Sequence, residues 1–118
     1  MIYEDKHVFA FLDRGPVNPG YTLVIPKTHA KNLYDIPEED LQKLILAAKK
    51  IAKAIKQGVH ADGINIMMNV EKAAGQLVDH VHFHIIPRFS HDGLRHWPHG
   101  KYAEGQAEAV KEKIVKFL

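Results

Sequence analysis

Three histidines stand at alternate positions in the segment His80-Val-His-Phe-His-Ile-Ile-Pro-Arg88. If the segment is a strand, its side-chain period is two. Val81, Phe83 and Ile85 then face a core. His80, His82 and His84 face the other way, as a row with roughly 6.5–7 Å between successive members. Such a row suits two chemistries. Neutral imidazole is a common zinc ligand, so a metal-dependent hydrolase with His80, His82 and His84 as ligands is one reading. The outer two would lie roughly 13–14 Å apart along the strand, which makes convergence on one ion difficult. The other chemistry is nucleophilic attack on phosphorus. An imidazole nitrogen displaces a leaving group, and water then hydrolyses the nucleotidyl-histidine. Neighbouring imidazoles orient the attacking ring and donate hydrogen bonds to phosphate oxygens. Only His82 has a histidine on both sides, so it is the expected nucleophile.

The rest of the chain must hold this row in place. Val8-Phe-Ala-Phe-Leu12 is a short apolar, aromatic run and reads as a buried strand. Arg14 to Gly20 holds two Pro and two Gly and reads as a loop. Tyr21-Thr-Leu-Val-Ile25 reads as a second strand ended by Pro26. A helix is predicted from about Pro37 to Gln57. Glu38, Glu39 and Asp40 sit at its positive end, and Leu41, Leu44, Ile45, Ala48, Ile51, Ala52 and Ile55 form one apolar stripe. Gly63 to Asn69 reads as a third strand, Val70 to Gln76 as a polar loop, and Leu77 to Pro87 as a fourth, long strand. Arg88 to Gly100 reads as a loop. Ala107 to Leu118 reads as a short terminal helix with Ala107, Val110, Ile114 and Phe117 or Leu118 turned inward. Hairpin-connected strands with one long helix predict an α+β fold with an antiparallel sheet.

Composition narrows the class. The 118 residues suit one domain, and no repeat or linker divides them. Sixteen basic against fourteen acidic residues leave +2, too balanced for a coat on nucleic acid or on a membrane surface. There is no cysteine, so disulfides, thiolate nucleophiles and Cys-ligated zinc are excluded. No run reaches the roughly 18–20 apolar residues of a membrane span, and the acidic start Met1-Ile-Tyr-Glu-Asp-Lys does not read as a signal peptide. A cytoplasmic protein is expected. No G-x-x-x-x-G-K-[ST] or His-Glu-x-x-His motif is present. Among the other histidines, His29 reads as a structural hydrogen-bonding group. His91, His96 and His99, beside Trp97, read as a polar tail. Met67 and Met68 read as one core and one surface residue of a strand.

His80-Val81-His82-Phe83-His84-Ile85-Ile86 resembles the signature of the histidine triad (HIT) family of nucleotide hydrolases and transferases. The resemblance extends over roughly residues 2–90, through Phe11-Leu12-Asp13, Pro19-Gly20, Leu23-Val24-Ile25-Pro26-Lys27, Gly63, Asn69, Gly75-Gln76 and Pro87-Arg88. It implies a single HIT domain over 1–118, with the C-terminal loop and helix at 91–118, and usually a homodimer. It also implies attack on the α-phosphate of a purine nucleotide ester, anhydride or amidate. No cofactor is implied beyond a divalent cation that accompanies the substrate's phosphates. By position, His82 is similar to the family's nucleophile. His84 matches the group that contacts the α-phosphate, and His80 the one that orients the triad through the backbone. Asn69 matches a phosphate or leaving-group contact, Asp13 the residue that bonds the ribose hydroxyls, Phe11 a lining of the base pocket, and Gln76 a loop residue beside the site. Three features depart from the pattern. Tyr21 stands where many members have a further His, and Leu77 where many have Ser or Thr. The usual N-terminal segment, often with a Cys pair, has no counterpart ahead of Met1. Leu77 has neither donor nor acceptor to help an amine depart, so a preference for anhydrides over phosphoramidates is expected. A nucleotide-binding regulator with little activity is the alternative that Tyr21 and Leu77 favour.

Overall fold

A computed structural model describes all 118 residues. Five strands form one sheet: β1 (Tyr3–Glu4), β2 (Val8–Leu12), β3 (Thr22–Pro26), β4 (Gly63–Met67) and β5 (Phe83–Arg88). Their spatial order is β1-β2-β3-β5-β4, and every neighbouring pair is antiparallel. One long helix, α1 (Glu38–Gly58), lies across one face, and a short helix, α2 (Gln106–Val115), ends the chain. The α+β class is therefore as the patterning predicts.

Alternation of side chains divides the sheet into two faces. Val8, Ala10, Val24 and Ile85 point to α1 and are buried. From the helix, Leu44, Ala47, Ala48, Ile51, Ala52 and Ile55 meet them. Pro37 caps the helix from outside rather than opening its first turn, and its carbonyl accepts the Leu41 N–H at 3.0 Å. Ile45, expected inside, is 42% exposed. The buried stripe follows the 44-47/48-51/52-55 track, and Ile45 falls about 100° around the helix from Leu44.

Three expectations need correction. The fourth strand does not run from Leu77: β5 begins at Phe83. The ladders explain this, because β3 pairs only as far as Val24↔Phe83 and β4 only as far as Met67↔His84. Before Phe83 the chain leaves the ladder although β3 runs on to Pro26, and the Val81 N–H instead bonds the Ala30 carbonyl at 2.8 Å. The histidine row is thus not carried by one strand; His84 is on β5, while His80 and His82 lie on the segment entering it. The third strand likewise stops at Met67, short of Asn69. Finally, α2 buries nothing: Ile114 is 55% exposed and Phe117 90%. The radius of gyration is 16.8 Å, against about 13–14 Å for a compact chain of this length.

Candidate active site

The face of the sheet turned away from α1 carries the triad. Here the ring nitrogens have defined partners. His82 Nδ1 lies 2.7 Å from the His80 carbonyl oxygen. A carbonyl can only accept, so Nδ1 carries the proton and, in the neutral ring, Nε2 keeps its lone pair. His80 directs Nε2 to the Pro26 carbonyl at 3.1 Å, and its Nδ1 lies 3.3 Å from His29 Nδ1. His29, read from the sequence as a structural group, thus buttresses the first histidine. The rings of His82 and His84 meet edge to face, with centroids 4.7 Å apart.

His84 Nδ1 lies 2.5 Å from the Tyr21 hydroxyl. Burial, and then the charge of Asp13, push the Tyr21 phenol above its usual 10, so it stays protonated. Burial first and then the charge of His82 hold His84 below its usual 6.5, against the opposing pull of Asp13. A protonated phenol therefore donates to a neutral imidazole, and the His84 proton must sit on Nε2. That Nε2 is buried and has no partner within the protein. The three imidazoles point their nitrogens at different groups and do not converge as one ligand set. No group of three His, Cys, Asp or Glu side chains is arranged to hold a metal ion.

Strand register supplies the rest of the face. Phe11 pairs with Leu23, Leu23 with His84, and His84 with Met67. These four residues form one row across the sheet. Phe11 therefore stands two strand spacings, about 10 Å, from His84. Phe9 stacks beside Phe11, with centroids 6.0 Å apart and planes 22° off parallel. Asp13 is two residues beyond Phe11, where β2 has just ended, and one of its oxygens accepts the Gly15 N–H at 2.7 Å.

The loop between β4 and the triad holds the remaining candidates. Asn69 lies two residues past the end of the β4 ladder, and its Nδ2 donates to the Gly75 carbonyl at 3.3 Å. Gly75 has φ +95°, and a Cβ there would meet Asn69 Nδ2 at 3.3 Å, so both backbone and neighbour call for glycine. Glu71 is held at φ 72°, ψ 161°, a conformation almost confined to glycine. Gln76 holds it there. This side chain is buried, its Oε1 accepts the Glu71 N–H, and its Nε2 donates to the carbonyls of Lys31 and Val78. Both polar atoms of the Gln76 side chain are thus committed to backbone, and its place is that of a loop clamp. Leu77, next to it, is 88% exposed. Trp97 is 82% exposed, while His91 and His96 line a cavity of about 770 Å³ beside Arg88 and Asp92, at the far end of β5 from the triad.

Sequence reasoning placed Tyr21 at the start of the second strand and as a departure from the family pattern, and did not foresee its contact with His84, 63 residues away. The one available signal was parity, since Tyr21, one residue ahead of β3, has the same alternation as Leu23. Fold and site together define a small α+β domain built around a histidine triad, and known proteins agree. The HIT domain model matches residues 1–91. An uncharacterized HIT-like protein of Saccharolobus solfataricus is 47% identical over 92 residues, which cover 78% of this chain and 66% of that protein. An adenosine 5′-monophosphoramidase of Saccharomyces cerevisiae is 46% identical over 87 residues, 74% of this chain but only 52% of the yeast protein. The crystal structure of a HIT family member from Bacillus subtilis superposes with a TM-score of 0.88 at 40% identity, covering 99% of this chain and 86% of that one. The chain belongs to the HIT family. No helix is long and apolar enough to cross a membrane.

Proposed function

We propose that this chain is a nucleotidyl hydrolase or transferase. In this reading it attacks the α-phosphate of nucleoside phosphoramidates, nucleoside polyphosphates or dinucleoside polyphosphates through a covalent intermediate on His82. The observation that carries the reading is the His82 tautomer: its Nδ1 proton is committed to the His80 carbonyl, which leaves the Nε2 lone pair for phosphorus. In the first step Nε2 forms the bond to the α-phosphorus, and the bond to the leaving group breaks. The leaving group takes its electron pair and, if an amine, a proton. In the second step water attacks the phosphorus, the P–N bond to His82 breaks, and a nucleoside monophosphate departs. A hydroxylated acceptor in place of water makes the same cycle a transfer.

His84 serves both steps. Its Nε2 proton, buried and without a protein acceptor, finds one in a phosphate oxygen; a buried donor left unpaired is costly, so the phosphate relieves it. The row from Phe11 to His84 suits a nucleoside laid across the sheet, with the purine on Phe9 and Phe11, the ribose hydroxyls at Asp13, and the phosphate at His84 and His82. Asn69 is assigned to the phosphate or leaving group. This chemistry asks for no bound cofactor; a divalent ion arrives with the substrate's phosphates. A homodimer and a cytoplasmic location complete the proposal. The similarity to the yeast phosphoramidase supports the reaction class.

The test is release of AMP from adenosine 5′-monophosphoramidate and from diadenosine tetraphosphate by chelator-treated, dialysed protein. Turnover of at least one substrate, lost in His82→Asn, is expected. Tight AMP binding without any turnover would leave a binding protein instead. Activity that disappears with the metal and returns with zinc would favour a metal-dependent hydrolase.

A further inference from the structure

The loop between β2 and β3 begins at Asp13 and ends at Tyr21, two residues that flank the triad. Its roots are joined by one bond, from the Asp13 N–H to the Tyr21 carbonyl at 2.9 Å. Its tip would be free to swing were it not tied elsewhere. Asn18 ties it. The Asn18 Nδ2 donates to the Pro87 carbonyl at 2.9 Å and to Asp92 Oδ2 at 3.1 Å. The Asn18 carbonyl accepts the Tyr21 N–H at 3.1 Å. Gly20 closes the same contact: at φ +100°, a Cβ there would stand 3.2 Å from both Pro87 Cγ and Val59 Cγ1.

The anchor is unusually well built for a polar turn. Asp92 is 7% exposed and Arg88 18%. The Arg88 Nε and Nη2 donate to the two Asp92 oxygens at 2.8 and 3.2 Å. The remaining donors to Asp92 are the N–H groups of Phe89 at 3.1 Å and Leu94 at 3.0 Å. Arg88 also reaches Asn65 Oδ1 on β4 and the Leu94 carbonyl. A bidentate pair with its remaining lone pairs filled is the geometry in which a desolvated carboxylate is stable and stiff. Arg88 stands on the same face of the same strand as His84, four residues on. One strand therefore carries His84 near one end and the anchor of the loop at the other.

We propose that Asn18 is a positioning residue: latched to the Arg88–Asp92 pair, it fixes the distance between Asp13 and the triad, and so sets how well the ribose of a nucleotide is held. This rests on the reading of Asp13 as the ribose contact. No part of the latch touches the reacting atoms, and its effect belongs in substrate affinity rather than in the chemical step.

The experiment uses Asn18→Ala in the full chain. Two hydrogen bonds are lost, one of them to a charged acceptor, so KM for adenosine 5′-monophosphoramidate should rise about tenfold with kcat changed less than about threefold. For the 2′,3′-dideoxy analogue, which has no hydroxyls for Asp13, KM should change less than about twofold. Amide hydrogen exchange should speed up at Asp13 and Tyr21 and stay unchanged at Ile85 and Val24. Asp92→Asn attacks the latch from its other end with little change of volume and should give the same pattern. Should one variant lose protection at Ile85 as well, it has lost the fold, and the other variant then decides. Unchanged exchange and KM in the variants would overturn the proposal, and so would an equal rise in KM for both substrates. A wild-type protein that treats the two substrates alike would instead overturn the role given to Asp13. The tie of the loop by Asn18 would then stand if exchange at Asp13 and Tyr21 still sped up in the variants, and fall if it did not.

Discussion

Replacing Tyr21 by Phe removes one oxygen and tests the tautomer argument at its narrowest point. The Tyr21 hydroxyl has a single protein partner, His84 Nδ1 at 2.5 Å. Its loss deletes one neutral hydrogen bond, worth about 0.5–1.5 kcal/mol net. The ring still packs edge to face on His84, with centroids 5.7 Å apart, so the apolar contact survives. The deleted bond is the one that keeps the His84 proton on Nε2. If that proton bonds the phosphate oxygens more strongly as charge builds on them, the loss falls on kcat, and kcat drops roughly 2–12-fold with KM nearly unchanged. Tyr21→His restores a ring nitrogen donor but one that titrates. The phenol is held above its usual 10 by burial and Asp13, so it donates across the whole neutral range, whereas the imidazole brings a new pH dependence between about pH 5 and 8. Steady-state kinetics on adenosine 5′-monophosphoramidate from about pH 5 to 9 reads both effects. A Tyr21→Phe variant with wild-type kcat at every pH would show that His84 needs no such donor.

Leu77→Ser should raise phosphoramidate turnover more than anhydride turnover, by up to about 10²–10⁴-fold if general acid help is what an amine leaving group lacks; equal gains on both substrates would point to another proton source. Acid should destabilise the protein in two stages, read from urea midpoints between about pH 1.5 and 8. His84, held below its usual 6.5 chiefly by burial, contributes stability that is present above pH 6.5 and lost as the pH falls through its depressed value. Asp92, held well below its usual 3.8 chiefly by Arg88, contributes stability that is present above pH 3.8 and lost only below it, a stage that Asp92→Asn should lack. Light scattering should give twice the chain mass of 13.4 kDa, because Ile66 on edge strand β4, Trp97 and Phe117 are all exposed in the single chain; a species at the single-chain mass would refute the homodimer.

Periodicity exposed much of this architecture and concealed the rest for identifiable reasons. Val81 and Ile85 against His80, His82 and His84 is a two-residue alternation, and it survives in the structure although only His84 stands on the strand. The alternation itself marks which side a residue faces, not whether it pairs with a neighbouring strand, so the boundary at Phe83 was out of reach. β1 spans only Tyr3 and Glu4, too short for any period to show. The apolar spacing of α2 predicts an amphipathic helix, which forms, but it says nothing about what covers the apolar side. Polar residues were the hardest to place. Gln76 has the composition of a site residue and the position of a buried clamp. Asp92 and Asn18 sit in Gly- and Pro-rich loops that read as solvated, and their contact spans 74 positions. Tyr21 and His84 meet only because β3 and β5 are adjacent, a fact of topology that no local window contains.

The central claim is that His82 Nε2 becomes bonded to phosphorus during turnover. Rapid quench of the protein with adenosine 5′-monophosphoramidate, followed by digestion and mass spectrometry, tests it directly. An adenylate adduct is expected on the peptide that contains His82, formed as fast as turnover requires and lost on chase, and absent from His82→Asn. Undiminished turnover in that variant, or an adduct confined to another residue, would contradict it.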